Sequence, residues 1–306
     1  MKRIPLIAGA LLLAVCSSSP AEEAKGSIDW SGGFILATGQ GSANPKANKA
    51  KARINALRAA EVSAQRALLE TIKGVRISSQ TTVENSMLTE DIIKTRVDGI
   101  VKGAIKVQEQ VEEIEGSLLA TVTMKICMSS GPAECASKPS LVNALSLEKL
   151  PVPAFVPART LADAVIPPPD SAAPAAAQPS GGYRPPQYDP GKPVTGIVFN
   201  LDGRYFEREL LPVVVTTASG EKVTVYSVKV VNPSVVRTYG AVRYAETIDI
   251  ARQNQAAGAN PMIISVDDIT KENMILIRSS DARLLKENCS HGNNLLGDAK
   301  VIISAK

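Results

Sequence analysis

Residues 151–193 constrain this chain more than any other stretch. Proline recurs there at Pro151, Pro153, Pro157, Pro167-Pro168-Pro169, Pro174, Pro179, Pro185-Pro186, Pro190 and Pro193, spaced largely by alanine. A segment of that composition cannot bury a core and is expected to be a disordered, partly polyproline-II linker. It leaves periodic sequence on both sides, at 28–135 and at 194–306. A length of 306 residues agrees with about two domains. Aromatic residues make up only 4%, so each core must be built from Val, Ile, Leu and Ala.

The chain opens on Met1-Lys2-Arg3, then an apolar run from Ile4 to Cys16, then Ser17-Ser18-Ser19-Pro20-Ala21. Charge, a short apolar stretch and a small-residue exit are the order of a secretory signal peptide, here 1–21. The apolar run is too short to cross a hydrocarbon core of about 30 Å as a helix. Ser19-Pro20-Ala21 permits cleavage before Glu22. Leu13-Ala14-Val15-Cys16 also looks like a bacterial lipobox, which makes Cys16 a candidate lipidation site and Ser17-Ser18-Ser19 a tether. Val15 departs from that pattern, which prefers a small residue before the cysteine. Both readings place the chain outside the cytoplasm, and only the second attaches it to a membrane.

Loss of Lys2 and Arg3 with the leader would bring the formal charge from +4 to about +2. So small and mixed a charge argues against nucleic acid as a partner. Cysteines stand at 16, 127, 135 and 289. Cys127 and Cys135 flank Ser129-Ser130-Gly131-Pro132, a plausible turn, and are the candidate disulfide; Cys289 would then be free. No Cys-x-x-Cys pair supports a redox motif or zinc ribbon.

Hydrophobic periodicity predicts α+β folds on both sides of the linker, each a mainly antiparallel sheet packed by helices. In the first, Phe34 to Gly39 reads as a strand ended by Gly39-Gln40-Gly41. A long helix follows from Pro45 to Lys73, with Asn44 as its cap. Ala50, Ile54, Leu57, Ala64, Leu68 and Ile72 form its apolar stripe. Val75 to Val83 alternates as a strand, and Thr89 to Ile100 reads as a short helix. Two further strands, 105–111 and 118–128, meet at Glu115-Gly116. In the second, strands are expected at 194–199, 213–215, 223–226, 262–266, 274–277 and 301–303. Helices are expected at 241–257 and 281–287, and Gly258-Ala259-Asn260-Pro261 is a break.

Ile28-Asp29-Trp30, Gly33-Phe34-Ile35, Ala37-Thr38-Gly39-Gln40-Gly41, Ala52-Arg53, Ala56 to Ala60 and Leu68 to Gly74 together resemble the LPP-twenty family of twenty-kilodalton bacterial lipoproteins. The N-terminal domain of flagellar assembly protein T is similar. Thr195-Gly196-Ile197-Val198, Ser219-Gly220-Glu221-Lys222-Val223 and Gly258-Ala259-Asn260-Pro261 are similar to a region that accompanies this domain in envelope proteins. The resemblance implies a periplasmic or outer-membrane-associated protein of a Gram-negative bacterium, without established enzyme activity. In some members it implies a link to the flagellar basal body.

Residues able to carry chemistry are few. His291, the single histidine, lies two residues from Cys289 in a polar loop, with no second histidine to complete a metal site. Asp267-Asp268 reads as a hairpin turn rather than a calcium loop. Glu109, Glu112, Glu113 and Glu115 read as a solvated sheet edge. Gly39-x-Gly41 lacks the remainder of a phosphate-binding motif, and Trp30 reads as edge packing. No catalytic, cofactor-binding or metal-binding residue is expected. The reading these features favour is a non-enzymatic envelope protein acting through contacts with other envelope proteins, flagellar basal-body components among them. Two alternatives stand beside it: a module binding a small ligand or envelope component, and an enzyme with an unrecognised carboxylate-based site.

Overall fold

In the computed structural model, residues 25–46, 48–150, 153–166, 184–289 and 294–305 are described. The leader with Cys16, the centre of the expected linker, and His291 lie outside them.

The first module runs β1 (Lys25–Asp29), β2 (Phe34–Ala43), α1 (Lys49–Lys73), β3 (Arg76–Ser78), β4 (Thr81–Thr82), α2 (Val83–Thr89), α3 (Asp91–Lys102), β5 (Ile105–Ile114) and β6 (Ser117–Cys127). β1, β2, β6 and β5 form one antiparallel sheet in that order. Glu115 and Gly116 both adopt positive φ in the β5–β6 turn, the backbone that a two-residue hairpin requires. β5 is an edge strand, so its glutamates do line a sheet edge; Lys106 pairs with Glu109, and Lys49 with Glu113.

α1 lies across one face of this sheet and departs from expectation in two ways. Its cap is Asn48, whose side chain accepts from the Lys51 N–H at 2.9 Å; Asn44 instead bonds Lys46 outside the helix. Its buried stripe is Ala52, Ala56, Ala60, Ala64, Ala67, Leu68 and Ile72, while Ile54 is 61% exposed. Small residues win because α1 meets the glycines of β2 at close range. A Cβ on Gly39 would sit 2.1 Å from Ala64 N, and one on Gly41 2.4 Å from Ala60 N. The two glycines therefore do not end a strand. They lie within β2, and their bare backbone is the surface on which α1 rests.

The expected strand 75–83 is the short hairpin β3–β4, and α2 begins at Val83 with Thr82 as its cap. Two helices, α2 and α3, replace the single expected one. α4 (Leu141–Leu145) follows the sheet and was missed.

The second module comprises β7 (Gly196–Asn200), β8 (Val214–Ala218), β9 (Glu221–Tyr226), α5 (Pro233–Tyr239), β10 (Arg243–Ala245), α6 (Ile248–Gln253), β11 (Pro261–Ser265), β12 (Asp268–Ile269), β13 (Ile275–Leu276), α7 (Ser279–Cys289) and β14 (Val301–Ser304). It is α+β, but not mainly antiparallel. The sheet β10-β14-β7-β11 is parallel throughout, and β12-β13-β8-β9 is mixed. β7 and β14 are buried at every residue, as strands covered on both faces must be.

The flanks of the expected linker are also structured. Thr160 pairs with Thr224, and the Leu161 N–H donates to Thr224 O at 2.7 Å. Gln187 and Ile263 exchange two backbone bonds of 3.0 Å. The buried Asn260 side chain accepts from Asp189 N and donates to the carbonyls of Asp189, Lys192 and Pro193. Proline limits local hydrogen bonding but does not prevent pairing with a neighbouring strand edge, so 153–166 and 184–193 belong to the second module.

The two modules share a seam. Leu210 and Leu211 donate backbone bonds of 2.9 Å to Arg76 and Ile77. One apolar core continues from Ile35 of the first module to Ala305 of the second. Modules carried freely at the ends of a tether would not be joined in this way.

Candidate functional site

The seam opens into a cleft of about 630 Å³, within the size range of small-molecule sites. The first module supplies the turn after β1, with Trp30, Gly32 and Gly33, and the loop after β6, with Ser129, Gly131 and Pro132. That loop is closed by a disulfide between Cys127 and Cys135, whose Cα atoms are 5.9 Å apart. The Ser130 N–H reaches Thr238 O of the second module at 2.9 Å. The second module contributes the end of α5 and β10: Tyr239, Gly240, Ala241, Val242, Arg243 and Tyr244.

Aromatic rings set the apolar part of the wall. Trp30 meets Tyr244 edge-on, with centroids 5.1 Å apart, and Phe206 lies on Tyr244 at 6.5 Å. The Tyr244 hydroxyl accepts from Glu209 N at 3.1 Å and donates to Glu209 O at 2.8 Å, which locks the ring. Tyr226, fully buried behind it, donates to Ala241 O.

Arg243 supplies the charge. One guanidinium nitrogen donates to Ala299 O at 2.6 Å, and the group lies 5.5 Å from the Tyr239 ring centre. Burial lowers its pKa from the ordinary value, yet arginine remains charged at neutral pH. Among the described residues it makes no ion pair with a carboxylate. A half-buried guanidinium facing a cleft without an acid beside it is a site for an anionic group. Lys300 on the rim adds a second cation, and Asp298 an acid.

Glu209 contributes wall, but its carboxyl is sealed. The residue is 2% exposed, and Oε2 has no hydrogen-bond partner. Burial pushes its pKa up to about 8, against the pull of the Asn273 amide and the Arg76 guanidinium and with a push from Glu207. Arg76 itself pairs with Glu207. The folded state therefore holds a proton that the unfolded chain releases at about pH 4.5. Stability from this group is present below that pH and declines up to about pH 8. Glu209→Gln, neutral at every pH, should flatten that decline. Urea midpoints at acidic, neutral and mildly basic pH would show it, and an unchanged slope would contradict it.

Among the described residues, those weighed for chemistry in the sequence fall elsewhere, except Trp30, which lines the cleft. Asp267 pairs with Arg278 at 3.2 Å, and Asp268 starts β12 rather than lying in its turn. Cys289 is half-buried, and burial pushes its thiol up to about 11, which leaves it a poor nucleophile. Among the described residues no group of three His, Cys, Asp or Glu could hold a metal. Arg243 and Tyr244 were missed because 241–257 read as helix, and Tyr239 falls just before that stretch, where no element was expected. Their signal was density: two tyrosines and an arginine within six residues of an aromatic-poor chain.

Residues 196–305 match the family described as Treponema pallidum Tp0624, second domain. The match covers the second module from β7 to β14, including Tyr239, Arg243 and Tyr244. It lies outside residues 28–128, which carry the LPP-twenty resemblance. No curated protein matches the chain.

Proposed function

We propose that the chain is a binding protein whose inter-module cleft takes a small ring-bearing anion, a carboxylate or phosphate attached to an apolar or sugar ring. The observation that carries this is Arg243, a cation with no carboxylate partner among the described residues, set among Trp30, Tyr239 and Tyr244. The guanidinium would take the anion through paired hydrogen bonds, and the rings would take its flat face. Binding rather than catalysis fits the sealed Glu209, since an acid with no exposed Oε2 surface cannot reach a ligand in this conformation. The leader-like sequence of residues 1–21 supports an exported protein working in the cell envelope. No described helix is long and apolar enough to cross a membrane.

Thermal shift against aromatic carboxylates, sugar phosphates and their neutral amides or alcohols tests this. Anionic members should raise the melting midpoint and neutral ones should not. Arg243→Gln should weaken binding by about 10- to 100-fold, the worth of a charged hydrogen-bonded pair. Equal shifts from charged and neutral members would sink the proposal.

A further inference from the structure

The first half of α1 carries a feature that the cleft does not use. No Asp or Glu occurs between Asn44 and Ala60, while Lys46, Lys49, Lys51, Arg53 and Arg58 all do. All five are exposed. Lys49 is engaged by Glu113, whereas Lys51, Arg53 and Arg58 form no ion pair among the described residues. Lys51, Ile54, Arg58 and Val62 follow one another at steps of three, four and four, so they share one face. That face points directly away from Ala52, Ala56 and Ala60, which are buried on the sheet. Two apolar side chains lie open upon it, Ile54 at 61% and Val62 at 42%.

We infer that this outward face of α1 docks on an anionic lipid surface. An acidic protein patch would complement the cations but leave Ile54 and Val62 without a place. At a membrane, the cations sit among headgroups while short apolar side chains enter the boundary beneath them. The inference rests on α1 alone and is independent of the cleft.

Co-sedimentation of the full chain with vesicles tests it. Phosphatidylcholine vesicles measure any charge-independent binding through residues 4–16. Vesicles of phosphatidylcholine and phosphatidylglycerol at about two to one measure the added electrostatic part, worth about five-fold per cation near the surface. The chain should prefer the anionic vesicles, and about 0.5 M salt should remove the preference. The double variant Lys51→Gln, Arg58→Gln should lose that preference by about 25-fold and, with both positions exposed, keep its melting midpoint. Ile54→Ser should weaken it several-fold, which a purely Coulombic contact would not show. Arg243→Gln should leave it unchanged. Equal binding to both vesicle types, or a double variant that matches the wild type, would overturn the inference. Binding to polyglutamate without binding to anionic vesicles would also overturn it, in favour of an acidic protein.

Discussion

Gly39→Val should unfold the first module or cost it more than about 3 kcal/mol, beyond the usual range for overpacking. The reason is backbone against backbone. A Cβ at Gly39 would lie 2.1 Å from Ala64 N and 2.4 Å from Ala60 O. Neither atom can rotate aside as a side-chain end could, so α1 must lift from β2. The alanines at 52, 56, 60 and 64 cannot follow with longer side chains, so the lifted helix leaves a void along the core. Loss of helical circular dichroism on heating, compared with wild type, measures the effect. A midpoint within error of wild type would mean that α1 does not rest on β2 at this distance.

Removal of the Cys127–Cys135 bond should be the second large effect, and it should reach the cleft. The bond closes a short loop, with a sequence separation of 8, for which chain entropy predicts about 2.5 kcal/mol of stabilisation. Both sulfurs are buried, so the paired alanine variant Cys127→Ala, Cys135→Ala avoids burying unsatisfied hydroxyls. The loop holds Ser129, Gly131 and Pro132 in the cleft wall and bonds Thr238 across the seam. Urea denaturation of the variant should show the lost stability. Its affinity for any anion that the wild type binds should fall several-fold, because the loop must then be ordered on binding. Unchanged affinity with lowered stability would confine the bond to a structural role.

These effects explain what could be read in the sequence. Strict alternation in β6 and the Glu115-Gly116 turn disclosed the antiparallel hairpin, because a strand with one wet face writes its pattern into single residues. The rotation of α1 was hidden because hydrophobicity favours Ile54 over Ala52. Only the glycines on the facing strand make the smaller residue the better core former, and that pairing is non-local. The parallel sheet was hidden for a related reason. β7 and β14 are apolar runs that specify burial but not a partner or direction. The cleft was obscured when Arg243 and Tyr244 were placed in a helix. In the structure Gly240, at φ 79°, ends α5, and a three-residue strand intervenes before α6 starts at Ile248 behind its Thr247 cap.

Trp30 offers the most direct test of the central claim. It is the only tryptophan in the chain, and it lines the cleft against Tyr244, so its emission reports that site alone. Titration with the anionic compound giving the largest thermal shift should change Trp30 emission saturably in the wild type. The same titration of Arg243→Gln should need about 10- to 100-fold more compound. Stabilisation by the compound with no change in Trp30 emission, or with equal affinity in both proteins, would place binding elsewhere and contradict the account.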